Sequence, residues 1–242
     1  MKIFRILLSL PKTVYYNFKI FNFQDAIKLP ILFHYKVKIK KWYKVCIDIP
    51  IDKKRFLIKY GWGDGSEGIL EGLDLTSGGG YLSIDEKSKV IFRGEANFSK
   101  GISIRVDNGG TIDFGENFHC NSFCFFASNK LIKFGDNNLI GWKVNIRDVD
   151  GHDIIENNEV TNKPRKVIIG DKVWIGAHVH ILKGVNIPDN SVIAYRTLLT
   201  KSFNEPNSII GGEANRILKK ILYGNNIGSN VVIISEFQSV IL

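Results

Sequence analysis

Between Ile169 and Leu199 one aliphatic residue recurs at every sixth position: Ile169, Ile175, Ile181, Ile187, Ile193 and Leu199. A smaller residue stands four places after each of the first five, namely Val173, Val179, Val185, Ser191 and Thr197. Neither the 3.6 period of a helix nor the 2 of an isolated strand produces that register. A coil with six-residue sides does, because each side needs one large inward side chain and a smaller companion. Three sides make a coil of roughly eighteen residues, and stacked coils bury a continuous apolar column. Gly or Asn suits the turns between sides, where a positive φ is often required. The repeat therefore predicts an all-β solenoid, a parallel β-helix.

Weaker copies of the register run through Phe92, Phe98 and Ile104, resume at Phe114, Cys120 and Phe126, and resume again at Phe134, Ile140 and Ile146. The interruptions fit loops or bulges at coil corners. The main body is read as 76–212. Within it the polar segment 147–167, which contains Pro164, abandons the repeat; the register would next have placed a core residue at His152. A long excursion from a tight repeat is usually functional, since loops thrown off a stack often form its binding face.

Residues 1–75 lack the register and are read as an N-terminal cap that closes an otherwise open edge. Phe23 to Lys28 suggests a helical turn before Pro30, and Ile31 to Lys40 and Lys44 to Ile51 read as strands. After Leu199 the stretch from Glu213 to Tyr223 has helical spacing and ends near Gly224, which predicts a short C-terminal helix in 213–242.

Charge and cysteine content narrow the function. The 242 residues carry a formal net charge of +9, with Lys36, Lys38, Lys40, Lys41, Lys44, Lys53, Lys54 and Arg55 meeting few acids. Such a surface can meet a phosphorylated substrate or an anionic membrane face; no nucleic-acid module is apparent, and no nucleic acid is expected. The three cysteines, Cys46, Cys120 and Cys124, make no disulfide framework, and Cys120 falls in the core register. With no convincing leader or spanning segment, a cytoplasmic protein is expected, with contact at the inner face of a membrane left open.

The run from Ile169 through Val185, the run Ser191 to Lys201, and Gly211-Gly-Glu-Ala-Asn-Arg-Ile resemble the hexapeptide-repeat acyltransferases, specifically the sugar and capsular-polysaccharide O-acetyltransferase branch. Asp148-Val-Asp-Gly-His152 is similar to that branch's histidine-bearing loop, and Leu10 to Phe18 to its N-terminal region. The resemblance implies a left-handed coil, a homotrimer with sites in clefts between subunits, and acetyl-CoA as donor. It implies His152 as the general base, with Asp148 or Asp150 as its supporting carboxylate and the backbone amide of Ala177 as oxyanion donor. For the cofactor it implies Trp174, Gly176, Ala194, Thr200, Lys201, Gly211, Ala214 and Arg216, and Arg196 could hold a phosphate. Two departures stand out: Ala194-Tyr-Arg-Thr replaces the family's Gly-Ala-Gly-Ser, and Glu213 replaces its proline. The chemistry agrees with the residues. Moving acetyl from a thioester to a sugar hydroxyl needs a base for the proton and donors for the tetrahedral oxyanion.

The expected acceptor is a sugar or glycan of a surface polysaccharide or its precursor, with nucleotide-linked and lipid-linked forms both open. Transfer to an amino nucleotide sugar and a non-catalytic scaffold are the competing readings. His178 and His180 flank inward-facing Val179 and would share an outer face, but zinc needs a third protein ligand and none stands at matching spacing, so no metal is expected.

Overall fold

Most strands in this protein pair in parallel with a strand one turn of the coil earlier, three steps back where nothing intervenes, rather than with their immediate neighbours. The computed structural model describes residues 2–41, 45–47, 57–62, 80–212 and 216–220. Among them the chain visits three sheets in turn, with nine, seven and six strands. The first sheet runs from Ile31–Phe33 through Ile58–Tyr60, Ala96–Phe98, Phe118–Cys120, Leu139–Ile140, Trp174–Ile175 and Val192–Ile193 to Ser208–Gly211. Trp174 pairs with Val192, His180 with Leu198, and Ile168 with Asn186, one pair for each sheet and each one coil apart. The chain therefore winds as a three-sided stack.

The inward column follows the six-residue register. Ile169, Ile175, Ile181, Ile187, Ile193 and Leu199 are all at most 1% exposed, and their small companions from Val173 to Thr197 are buried with them. Earlier coils fill the same volume with aromatic rings: Phe114 stacks between Phe92 and Phe134, with ring centroids 5.3 Å apart on each side. Cys120 and Cys124 are free and buried, Cys120 as its place in the core register predicts.

Corners are held by repeating hydrogen bonds. Where the third sheet returns to the first, Asp136, Asp171 and Asp189 each accept a backbone amide from the coil before, at 2.8–2.9 Å. Asn117, Asn137, Asn190 and Asn207 supply the positive φ there, as expected of Asn, while Lys172 does so in the coil of Asp171. Gly135 precedes one such turn; a Cβ on it would stand 2.1 Å from Asp171 Oδ1. The corner from the first sheet to the second departs from the Gly-or-Asn expectation, since Phe123, Lys143, His178 and Arg196 stack there with φ of 56–63°.

Three features differ from the sequence reading. Strands at Ile31–Phe33, Lys38–Lys41 and Val45–Ile47 already lie in the three sheets, so the coil begins inside the region read as a cap. The closing element is instead a helix, α1 (Lys2–Ile20), followed by the short α2 (Phe23–Ala26) where a helical turn was expected. In α1, Pro11 obscures the helical pattern in sequence. Its side chains take the place of a missing strand: Asn17 both donates to and accepts from the Ile31 backbone, at 2.7 and 3.1 Å. Thr13 Oγ1 accepts from Phe33 N at 3.1 Å and Ser9 Oγ from Tyr35 N at 3.0 Å. A polar residue at every fourth position thus satisfies a free sheet edge. At the other end the predicted C-terminal helix is corrected to a strand. Arg216–Lys220 runs antiparallel to Ser208–Gly211, because that last parallel strand has an open edge whose backbone groups outweigh local helix propensity. The rest of the expected helix lies outside the described residues.

Candidate active site

Both interruptions of the register, and the excursion, fall at one corner, where the second sheet passes to the third. Residues 107–110 and 129–131 make longer turns there, and 148–166 follows directly above them between strands Asn145–Arg147 and Val167–Ile169. The excursion folds on itself. Ile155–Glu156 pairs antiparallel with Glu159–Val160 across Asn157 and Asn158, both in the left-handed region.

Asn162 knits the base of this loop. Its Oδ1 accepts from Ile154 N at 2.7 Å, and its Nδ2 donates to the His152 carbonyl at 2.8 Å and to Asp150 Oδ2 at 3.0 Å. From the next coil, Lys183 Nζ donates to Asp150 Oδ2 and, at 2.7 Å, to the carbonyl of Asn162. The Lys183 hydrogen bond, then that of Asn162, holds the Asp150 carboxyl below its ordinary range. His152 is exposed, and its backbone is fixed through Asn162.

The two aspartates expected to support His152 are engaged elsewhere. Asp148 is fully buried, accepting from Ser128 Oγ at 2.7 Å, Asn129 N at 2.8 Å and Lys130 N at 2.9 Å. It ties the start of the excursion to the coil below. Asp150 serves Lys183 and Asn162. Among the described residues of the single chain, no hydrogen bond reaches the His152 imidazole. In the single chain neither carboxylate is hydrogen-bonded to this ring: Asp148 is taken by the Ser128 hydroxyl and the Asn129 and Lys130 amides, and Asp150 by Lys183 and Asn162.

Below the loop base lies a cleft of about 240 Å³ on the outer face of the second sheet, with Arg105, Phe125, Arg147 and Asp150 in its lining. The Arg147 guanidinium lies 5.9 Å from the Phe125 ring centroid, and Arg105 pairs with Asp107. Sequence reasoning missed Asn162, Lys183 and these arginines. Their meeting depends on stacking of coils about twenty residues or more apart, which the period alone does not label.

The residues expected to hold a cofactor divide between two corners. Trp174, Gly176, Ala194 and Gly211 share the first sheet and its exit. Gly176, Ala194 and Gly211 follow the paired residues Ile175, Ile193 and Ile210, so they form one column. A Cβ on Gly176 would meet Ile193 O at 2.7 Å, so coil stacking itself requires glycine there. Arg216 pairs with Gly211 at the end of that column. Ala177 follows Gly176; its carbonyl accepts from Arg196 N at 3.0 Å, while its amide has no backbone acceptor among the described residues. Arg196 and Tyr195 are exposed beside it. Thr200 and Lys201 leave the second sheet instead, at the corner that carries Lys183 and the excursion. Ala214 lies outside the described residues.

His178 packs edge-on to Tyr195, with centroids 5.5 Å apart. Burial first, then Lys143, Arg196 and His180, lower its pKa. Lys143 and Arg196 are the fixed positive charges at this corner, and they disfavour a further cation there.

No protein-family model matches the chain. The galactoside O-acetyltransferase of Escherichia coli is 36% identical over 117 residues, an alignment covering 47% of this chain and 56% of that protein. This chain thus spans little more than half the length of that relative. Among solved structures, a maltose O-acetyltransferase from Clostridium difficile is 35% identical, with a TM-score of 0.44 over 50% of this chain and 64% of that one. A hexapeptide-repeat containing acetyltransferase from Vibrio cholerae, complexed with acetyl coenzyme A, is 25% identical, with a TM-score of 0.44 over 50% of this chain and 66% of that one. The homologues and structural neighbours of this chain are hexapeptide-repeat acetyltransferases, among them enzymes named for galactoside and for maltose.

Proposed function

We propose that this protein is a left-handed parallel β-helix, trimeric and cytoplasmic, that transfers acetyl from acetyl-CoA to a hydroxyl of a surface-glycan sugar or its precursor. The observation that carries the reading is the pinned excursion. His152 is exposed at a loop base that Asn162 and Lys183 hold in place, on a chain 36% identical to a galactoside O-acetyltransferase across the matched region.

In the reaction the His152 imidazole takes the proton from the acceptor hydroxyl as its oxygen attacks the thioester carbonyl. In one chain Ala177 stands at the opposite corner of the second sheet from His152, so the Ala177 amide of a neighbouring copy, unused by the coil's backbone ladder, donates to the resulting oxyanion. Collapse breaks the carbon–sulfur bond, and the imidazolium returns its proton to the departing thiolate. Asp150 acts through Lys183 and Asn162 to position the loop. The pantetheine lies along the column of Gly176, Ala194 and Gly211 beside Trp174, and Arg196, Lys201 and Arg216 are the cations for its phosphates. A second copy seated over this edge supplies the wall that the exposed His152 lacks in one chain. The cleft beside the loop suits the acceptor: Phe125 offers an apolar face to a sugar ring, and Arg147 and Asp150 offer a donor and an acceptor to its hydroxyls.

Calorimetric titration of the purified protein with acetyl-CoA and with free CoA tests this. Micromolar binding near one site per chain, followed by acetyl transfer to neutral or acidic oligosaccharides, is expected. A folded protein that binds neither would move the weight to a scaffold role, with Tyr195 and Arg196 obstructing the groove.

A further inference from the structure

Helix α1 has two faces of opposite chemistry, and the coil uses only one. Ser9, Thr13 and Asn17 are fully buried against the first strand. On the other side Ile3 is 76% exposed, Phe4 65%, Leu7 58%, Tyr15 60% and Phe18 44%. At 3.6 residues per turn these positions fall in one arc. The arc continues into the next element, where Phe23 is 70% exposed and its ring centroid lies 6.0 Å from that of Phe18. Contiguous apolar surface of this kind is uncommon on a soluble chain unless something covers it.

Charge identifies what covers it. Arg5, Lys12 and Lys19 recur at seven-residue intervals along one flank of the arc, and Lys2–Ile20 contains no Asp or Glu. Lys12 reaches the carbonyl of Val37 at 2.7 Å, which brings this flank against the corner that carries His34 and Lys36. There the positive field is felt directly: burial, then Arg5, Lys36, Lys12 and Lys100, pull the His34 pKa down to about 4. A second copy of α1 would bring the same cations and no carboxylate to meet them. An anionic bilayer supplies both an apolar interior and the opposite charge.

We infer that α1 is an interfacial helix that lays its outer apolar face into an anionic lipid surface, with Arg5 and Lys19 at headgroup level. Among the described residues no helix is long and apolar enough to cross a membrane, so the contact is peripheral. The opposite, polar face stays on the coil, so the helix can bind lipid without leaving its place at the end of the stack. The inference does not rest on acetyl transfer.

The test is co-sedimentation of the full chain with phosphatidylcholine vesicles and with vesicles containing phosphatidylglycerol, at low and high salt. Binding is expected only to the anionic vesicles, weakening as salt rises. The triple variant Phe4→Ser, Leu7→Ser, Phe18→Ser should lose about tenfold or more in partitioning, with its melting temperature and oligomeric state unchanged. Arg5→Gln with Lys19→Gln, a pair made outside the apolar arc, should weaken binding severalfold and keeps the test open if the triple variant does not fold. Equal binding to both vesicle types, or none to either, would overturn the inference. So would a triple variant that dissociates the oligomer in the absence of lipid, which would place this face between copies of the chain.

Discussion

Asp148 and Ser128 lie twenty residues apart in sequence and one coil apart in space, joined by a 2.7 Å hydrogen bond from Ser128 Oγ to a fully buried carboxylate. The same carboxylate accepts the amides of Asn129 and Lys130, so one side chain closes the turn below and starts the excursion above. Asp148→Ala would leave two amides without their acceptor and the Ser128 hydroxyl with only the Thr111 carbonyl, at 3.0 Å. A loss of about 2–4 kcal/mol is expected in chemical denaturation, with turnover falling as the loop base loosens.

His152 presents the contrasting case. It is exposed, and only its carbonyl is engaged by the fold. His152→Ala should therefore leave the thermal transition within about half a kcal/mol of the parent and lower acetyl turnover by about 10²–10⁴-fold. Comparing kcat with acetyl-CoA affinity in the same variant separates the two effects. Near-native turnover would remove the histidine from the mechanism.

Lys183→Ala tests whether the excursion is held from the neighbouring coil. It removes the donor to both Asp150 and the Asn162 carbonyl. Limited proteolysis should cut within 151–163 faster in the variant than in the parent, while the coil stays intact. Cleavage at the parental rate would show that Asn162 alone suffices.

His34 gives the fold a pH dependence of known sign. Its pKa is about 4 in the folded chain, against roughly 6.5 for an unperturbed histidine. The unfolded chain therefore takes up a proton that the folded one refuses between those values. His34's contribution is fully present above about pH 6.5 and is lost as pH falls toward about 4. Melting temperatures measured across that window should fall less steeply for His34→Gln than for the parent. Parallel curves would mean that the ring is solvated in the native state.

Much of this architecture can be read along the chain. The six-residue spacing from Ile169 to Leu199 names the inward residues of the last coils, and each one is buried as the spacing requires. Cys120 falls in the core for the same reason. The excursion is legible as a polar gap in an apolar period. Helix α1 is less so, because Pro11 interrupts its pattern and because its packed face is polar. Ser9, Thr13 and Asn17 face a strand edge, and a face that binds by hydrogen bonds leaves no apolar period in the sequence to mark it. Arg216–Lys220 reads as helix by local propensity and becomes a strand because the last parallel strand leaves unpaired backbone groups that its own backbone can meet.

Sequence alone determined the coil and the loop that leaves it, since a periodic need for one large inward residue is a local property repeated along the chain. What only the tertiary structure decided is which aspartate does what. Asp148 and Asp150 stand two residues apart on the same loop and look interchangeable. Stacking sets Asp148 over the Ser128 turn and Asp150 under Lys183, partners 20 and 33 residues away. A carboxylate's role follows from the donors that reach it first, and those donors are brought by neighbouring coils rather than by neighbours in sequence.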